Sequence, residues 1–151
     1  MRYSEGNIGR IFALKLDSGD RLPDSLVAFA REHNVRSAMV MYVGGADATS
    51  RLVVGPEENR GDDIIPIVHR LDGIHEVVAM GTLFPDEEGN PEVHMHAAAG
   101  REGRATVGCI RAGVDVWLIG EVILLEITGM EGFRKKDPKT GFQILQLSQT
   151  P

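Results

Sequence analysis

The stretch Glu92-Val93-His94-Met95-His96-Ala97-Ala98-Ala99, continued through Gly100-Arg101-Glu102-Gly103-Arg104 to Cys109, constrains the fold more than any other part of the chain. On a β-strand alternate side chains face the same way, so His94 and His96 share one face about 7 Å apart along the strand, while Val93, Met95 and Ala97 take the other. Gly100 to Arg104 reads as a hairpin turn with Arg101-Glu102 or Glu102-Gly103 as its two-residue loop. The first register pairs Cys109 with His94 and the second pairs it with His96. Either one puts the thiol on the histidine face, because directly opposite residues lie on the same side with Cβ atoms about 4.5–5.5 Å apart. A three-residue loop turns Cys109 toward Met95 instead. The two-residue loops are preferred because they leave Ile110 with Val93 and Met95 on an apolar face.

Two neutral imidazoles and one thiolate are a normal donor set for zinc, with the fourth position left for water or substrate. His94, His96 and Cys109 are therefore the candidate metal ligands. The plain alternative is a strand carrying two exposed histidines beside a cysteine that only packs.

The remaining elements are read from periodicity. Ile8 to Leu16 is a first strand with Ile8, Phe12, Leu14 and Leu16 at even steps. After the turn Asp17-Ser18-Gly19-Asp20, Leu22 to about His33 is the one amphipathic helix: Pro23 suits its first turn, and Leu22, Leu26, Phe29 and Ala30 recur at three- and four-residue steps. His33 then falls near the helix end as a cap or an exposed side chain. Val35 to Val43 reads as a strand buried on both faces and ended by Gly44-Gly45, and Ala46 to Val54 as another. Pro56 to Asp63 is a polar loop whose Arg60-Gly61-Asp62 is a chance likeness to an adhesion tripeptide.

Ile64 to Leu71 and Ile74 to Phe84 are strands around Asp72-Gly73, and Pro85 to Pro91 is the loop into the histidine strand. His69 and His75 are strand histidines satisfied by a neighbour or by solvent, with His75 the better candidate for a place near the site. Val116 to Ile127 is the last long strand. Its Glu121 shares a face with Ile119, Ile123, Leu125 and Ile127, where a carboxylate needs a partner or a raised pKa, which makes it the candidate catalytic proton carrier or an anchor for a ligand. The plain alternative is a sheet-edge carboxylate. From about Met130 the chain turns polar, with Arg134, Lys135, Lys136 and Lys139 read as a solvated loop and the Phe142 stretch as a short strand.

Some seven strands, one helix and no βαβ rhythm predict an α+β domain with a mostly antiparallel twisted sheet, a single domain over 1–151 with a C-terminal extension from about 130. Open sheet edges favour self-association. The 16 Lys and Arg against 22 Asp and Glu leave a net charge of −6, which disfavours nucleic acid as a partner. A single cysteine forms no internal disulfide, and the sequence has neither an apolar leader nor an apolar run long enough for a membrane, so a cytoplasmic protein is expected.

The order Phe12-Ala13-Leu14-Lys15-Leu16-Asp17-Ser18-Gly19, a helix, Val43-Gly44-Gly45-Ala46, Gly81-Thr82-Leu83, His94-Met95-His96-Ala97, Val107-Gly108-Cys109-Ile110 and Glu121-Val122-Ile123-Leu124 resembles the PPC (plants and prokaryotes conserved) domain, in its stand-alone prokaryotic type. The likeness runs from about Gly9 to Phe142. It implies an α+β fold that assembles as a homotrimer and is related in architecture to acetolactate decarboxylase, which binds zinc through a His-x-His pair and a third histidine further on. In the PPC pattern that third position is commonly the histidine of Gly-Gly-His-Leu, and here it is Cys109. A thiolate still suits zinc and makes its bound water less acidic, but the change also fits a different metal or a lost site.

Three functions follow as expectations. The first is a zinc site that polarises a small carbonyl-type ligand or activates water. The second is a DNA-associated regulatory role, as in plant members of the family that join the domain to AT-hook segments; no Arg-Gly-Arg-Pro core occurs in this sequence. The third is a structural trimer whose metal is non-catalytic, with all four positions filled by protein.

Overall fold

The alternation around His94 extends through most of the chain and yields strands. In a computed structural model, which describes residues 1–57 and 64–148, these are β1 (Asn7–Leu16), β2 (Arg21–Leu22), β3 (Ala38–Ala46), β4 (Arg51–Pro56), β5 (Pro66–Arg70), β6 (His75–Pro85), β7 (Pro91–Arg101), β8 (Arg104–Cys109), β9 (Val114–Thr128), β10 (Gly132–Lys136) and β11 (Gln143–Leu147), with one α-helix, α1 (Asp24–Glu32). Arg60-Gly61-Asp62 lies outside the described residues. The main sheet runs β1-β9-β3-β6-β7-β8-β4-β5, with β2 joined to β9, and its neighbours pair antiparallel throughout. The α+β, mostly antiparallel architecture is as expected. Among the described residues no helix is long and apolar enough to cross a membrane.

One face of this sheet makes the core. Val40 and Tyr42 of β3, Val77 and Leu83 of β6, Met95 and Ala97 of β7, and Val122 and Leu124 of β9 are buried there. The helix lays Leu26 and Ala30, one turn apart, on the same core. Burying a leucine such as Leu26 contributes about 1.5–3 kcal/mol. Phe29 meets Phe12 edge-on, with ring centroids 5.1 Å apart.

The helix is shorter than its periodicity predicts. Leu22 is taken by β2, where it pairs with Val114, and Asn34, at φ +53°, stops the helix beyond His33. The other sheet face stays open and apolar: Val43, Val78, Met80, Val107 and Ile123 are each between 40 and 61 % exposed.

The boundaries at Gly44-Gly45 and at Ala46 also differ from the sequence reading. Gly44-Gly45 does not end its strand, which continues to Ala46. A Cβ at Gly44 would lie 2.3 Å from the Ile119 carbonyl oxygen and one at Gly45 2.5 Å from that of Trp117, so the glycines admit a close approach of β9, which is irregular there. The strand expected from Ala46 starts only at Arg51, because the Asp47 carboxylate accepts from the Thr49 amide and Ser50 N–H donates to the Asp47 carbonyl, closing a turn.

A candidate ligand site on the histidine strand

The turn between β7 and β8 decides which residues meet. Arg101 pairs with Arg104, so the loop is Glu102-Gly103, at φ +53° and +76°. Positive φ at both positions is what a tight hairpin requires, and it suits the right-handed twist of the strands. Of the two registers open from the sequence, the structure adopts the one that sets Cys109 opposite His96. On the other side, β6 places Thr82 opposite His94 and Met80 opposite His96. Both histidines therefore stand on the open face of the sheet, away from α1.

The two imidazoles converge. Their Nε2 atoms are 3.2 Å apart, with ring planes 74° from each other. Two nitrogens held about 2.0–2.1 Å from one tetrahedral zinc lie roughly 3.3–3.4 Å apart, so the pair fits one edge of such a site. A single N–H···N hydrogen bond also spans this distance. Cys109 is 7 % exposed and on the correct face. Even so, no group of three His, Cys, Asp or Glu side chains among the described residues is close enough to hold a metal. The residues present thus fit two corners of a tetrahedron and leave the third ligand unset.

A cavity of about 800 Å³ opens over the pair. Its floor is His94, His96 and Cys109, and its far wall is the β10–β11 hairpin, which folds back across β6. Asp137 closes that hairpin by accepting from the Thr140 amide and hydroxyl. Arg134 of β10 is only 3 % exposed; its Nη2 donates to Thr82 Oγ1 at 2.8 Å, its guanidinium lies over Phe84, and its buried Nε has no partner. Arg111, just after β8, lies over the Phe142 ring at 5.6 Å. Burial, then the charges of Arg134, His96 and Arg111, lower the His94 pKa below the ordinary histidine range. His94 is accordingly neutral at neutral pH, with a lone pair to offer.

The other sequence candidates lie elsewhere. Glu121 shares the open face, but its row runs Ala98–Val78–Val43–Glu121, which puts it three strands from β7, about 14 Å away. It is exposed, opposite Lys15, and the structure does not bring it to the histidines. His75 is buried on the core face, its Nδ1 3.0 Å from the Gly73 carbonyl oxygen. His69 is exposed opposite Leu52, and His33 stacks on Phe29 at 4.3 Å beside the helix.

Conversely, two cations that the sequence gives no place in the site line the cavity: Arg111, and Arg134, which lies buried on β10 rather than in the solvated loop expected there. The signal for Arg134 was the hairpin pattern itself: two strand-length runs flank Asp137-Pro138-Lys139-Thr140-Gly141, a turn sequence, so a cation within the first run has an inner side available to it.

A mostly antiparallel α+β domain carrying a histidine pair on its open face is the class of protein this geometry defines. The Plants and Prokaryotes Conserved (PCC) domain, called PPC above, matches residues 3–128, and the chain belongs to that family. Among solved structures, a PPC protein from Pyrococcus horikoshii superimposes with a TM-score of 0.83 at 21 % identity, covering 99 % of this chain and 100 % of its own. A metal-containing protein from Archaeoglobus fulgidus gives 0.82 at 22 % identity, covering 97 % and 99 %. A candidate DNA-binding protein from Ralstonia eutropha gives 0.68 at 19 % identity, covering 90 % of each chain. At these identities the likeness is one of fold. The chain spans about a fifth (21 %) of the length of the curated relative it matches, the bifunctional protein GlmU of a Synechococcus strain, at 29 % identity over 144 residues.

Proposed function

We propose that this PPC-domain protein binds a zinc ion through His94, His96 and Cys109 and uses it on a small carbonyl-type ligand held in the adjoining cavity. The observation that carries the reading is the 3.2 Å separation of the two Nε2 atoms at the floor of a cavity of about 800 Å³. Cys109, opposite His96 on the same face, is the third donor of the proposed set. Zinc bound there would supply Lewis-acid polarisation of the carbonyl. The residues themselves have separate tasks: His94 and His96 would donate ring-nitrogen lone pairs, the Cys109 thiol would give up its proton to the ion, and the cavity walls would hold the ligand beside them. That one solved relative is a metal-containing protein supports the reading. The wider kinship with acetolactate decarboxylase and a cytoplasmic setting belong to this proposal.

The proposal includes assembly as a homotrimer. Its support is the open apolar face, since contiguous exposed apolar surface of this kind marks association sites. A trimer whose metal only fastens strands would show no exchangeable water at the metal. The DNA-associated reading has the description of the Ralstonia relative behind it and the −6 charge against it; a gel shift persisting at physiological salt would favour it.

The test is metal content by elemental analysis of protein purified without a histidine tag. About one zinc per chain, lost in both His94→Ala and Cys109→Ala, is the expected result. No zinc after incubation with the ion overturns the reading, and zinc retained in Cys109→Ala removes the thiol from it.

A further inference from the structure

We propose that Arg134, assisted by Arg111, forms a monocarboxylate subsite in the cavity beside the histidine pair. A guanidinium stays protonated in proteins, and burying it is costly unless an anion pairs with it. Arg134 is 3 % exposed, yet among the described residues no carboxylate forms an ion pair with it. Glu92 acts on it only through its longer-range field. One guanidinium nitrogen is spent on Thr82, while the buried Nε has no partner at all. A guanidinium is a planar fork, the shape that takes a carboxylate through two parallel hydrogen bonds, and Arg134 lines the cavity.

The surroundings narrow the ligand. Arg111 adds a second cation to the lining, against Glu92 as the single lining carboxylate among the described residues, in a chain whose net charge is −6. The cavity is thus locally cationic on an acidic protein, and Glu92 weighs against a dianion. Phe142 and Ile144 supply apolar walls suited to a short aliphatic chain. Arg134 and Phe142 both lie beyond the residues 3–128 that match the family, so this wall of the cavity is argued from this chain's own hairpin. The carboxylate half of the inference stands on the arginines alone. Only the extension to 2-oxo acids, with the carbonyl turned toward His94 and His96, rests on the zinc reading above.

The test is calorimetric titration of the full chain, stripped of metal with a chelator, using butanoate, butanone, 2-oxobutanoate and inorganic phosphate. Butanoate and 2-oxobutanoate are expected to bind and butanone is not. Arg134→Lys, which keeps the charge but loses the fork, is expected to weaken butanoate about tenfold or more, the scale of one charge-assisted hydrogen bond. Arg111→Ala, at an exposed position that leaves the fold intact, is expected to weaken it several-fold and keeps the test decisive if Arg134→Lys does not fold. Absence of butanoate binding, equal binding of butanone, tighter binding of phosphate, or unchanged affinity in Arg111→Ala and folded Arg134→Lys overturns the subsite. Adding zinc separates the two readings. Arginine-dependent butanoate binding with no zinc-dependent gain for 2-oxobutanoate removes the metal reading and leaves the subsite standing; zinc uptake without butanoate binding does the reverse.

Discussion

His96 on β7 stands directly opposite Cys109 on β8, and the two-residue turn at Glu102-Gly103 is what puts them there. Gly103 sits at φ +76°, where a side chain clashes with the backbone. Gly103→Val is expected to cost about 1–2 kcal/mol, read as a lower urea midpoint at unchanged slope. An unchanged midpoint would mean that the turn does not hold the register.

Leu26 is fully buried under α1, whereas Val107, on the open face, is 61 % exposed. Leu26→Ala should lose about 2–5 kcal/mol of stability, and Val107→Ala in the dilute protein should change it by no more than about 0.5 kcal/mol. Equal losses in denaturant unfolding would contradict the assignment of the two faces.

Acid should act through Glu126. Arg10 holds this carboxylate with Nη2 on Oε1 at 2.7 Å and Nε on Oε2 at 2.8 Å, which brings its pKa down to about 2. A carboxyl group whose folded pKa is depressed adds stability above its ordinary unfolded value, about 4.3, and loses that stability as pH falls through the folded value. Stability measured from pH 5 down to about 2 should therefore fall less steeply in Glu126→Gln than in the parent chain. Parallel curves would show that the pair is not a source of the acid response.

Met80, beside His96 on the open face, is 58 % exposed. If a second and third copy cover this face, Met80→Arg should shift sedimentation toward the monomer without lowering helix and sheet content, since a charge on an apolar contact is expensive only once buried. A sedimentation coefficient that does not move excludes Met80 from the contact.

Parity along a strand is a local property, so the shared face of His94, His96 and Cys109 is legible in the sequence alone. The choice between two registers was not, because it turned on whether Glu102 would accept a left-handed backbone. Glu121 shows the other limit. Its face could be read, but its distance from β7 depends on β9 inserting between β1 and β3 rather than beside β8, and strand order is set by long-range packing that periodicity does not encode. Arg134 was hidden for a third reason. Within Arg134-Lys135-Lys136 it shares a charge run with residues that are exposed, and only the pairing of β10 with β11 separates its inward side from theirs.

The cross-strand row His96–Met80–Met41–Ile123 is one unbroken line across four strands. It begins at a group with chemistry and ends among side chains that only seek cover. A surface laid over Met80 would therefore border His96, its neighbour in the row. If copies meet on this face and the cavity takes a ligand, affinity for the small molecule and the concentration at which copies associate become linked quantities, each readable in a titration of the other.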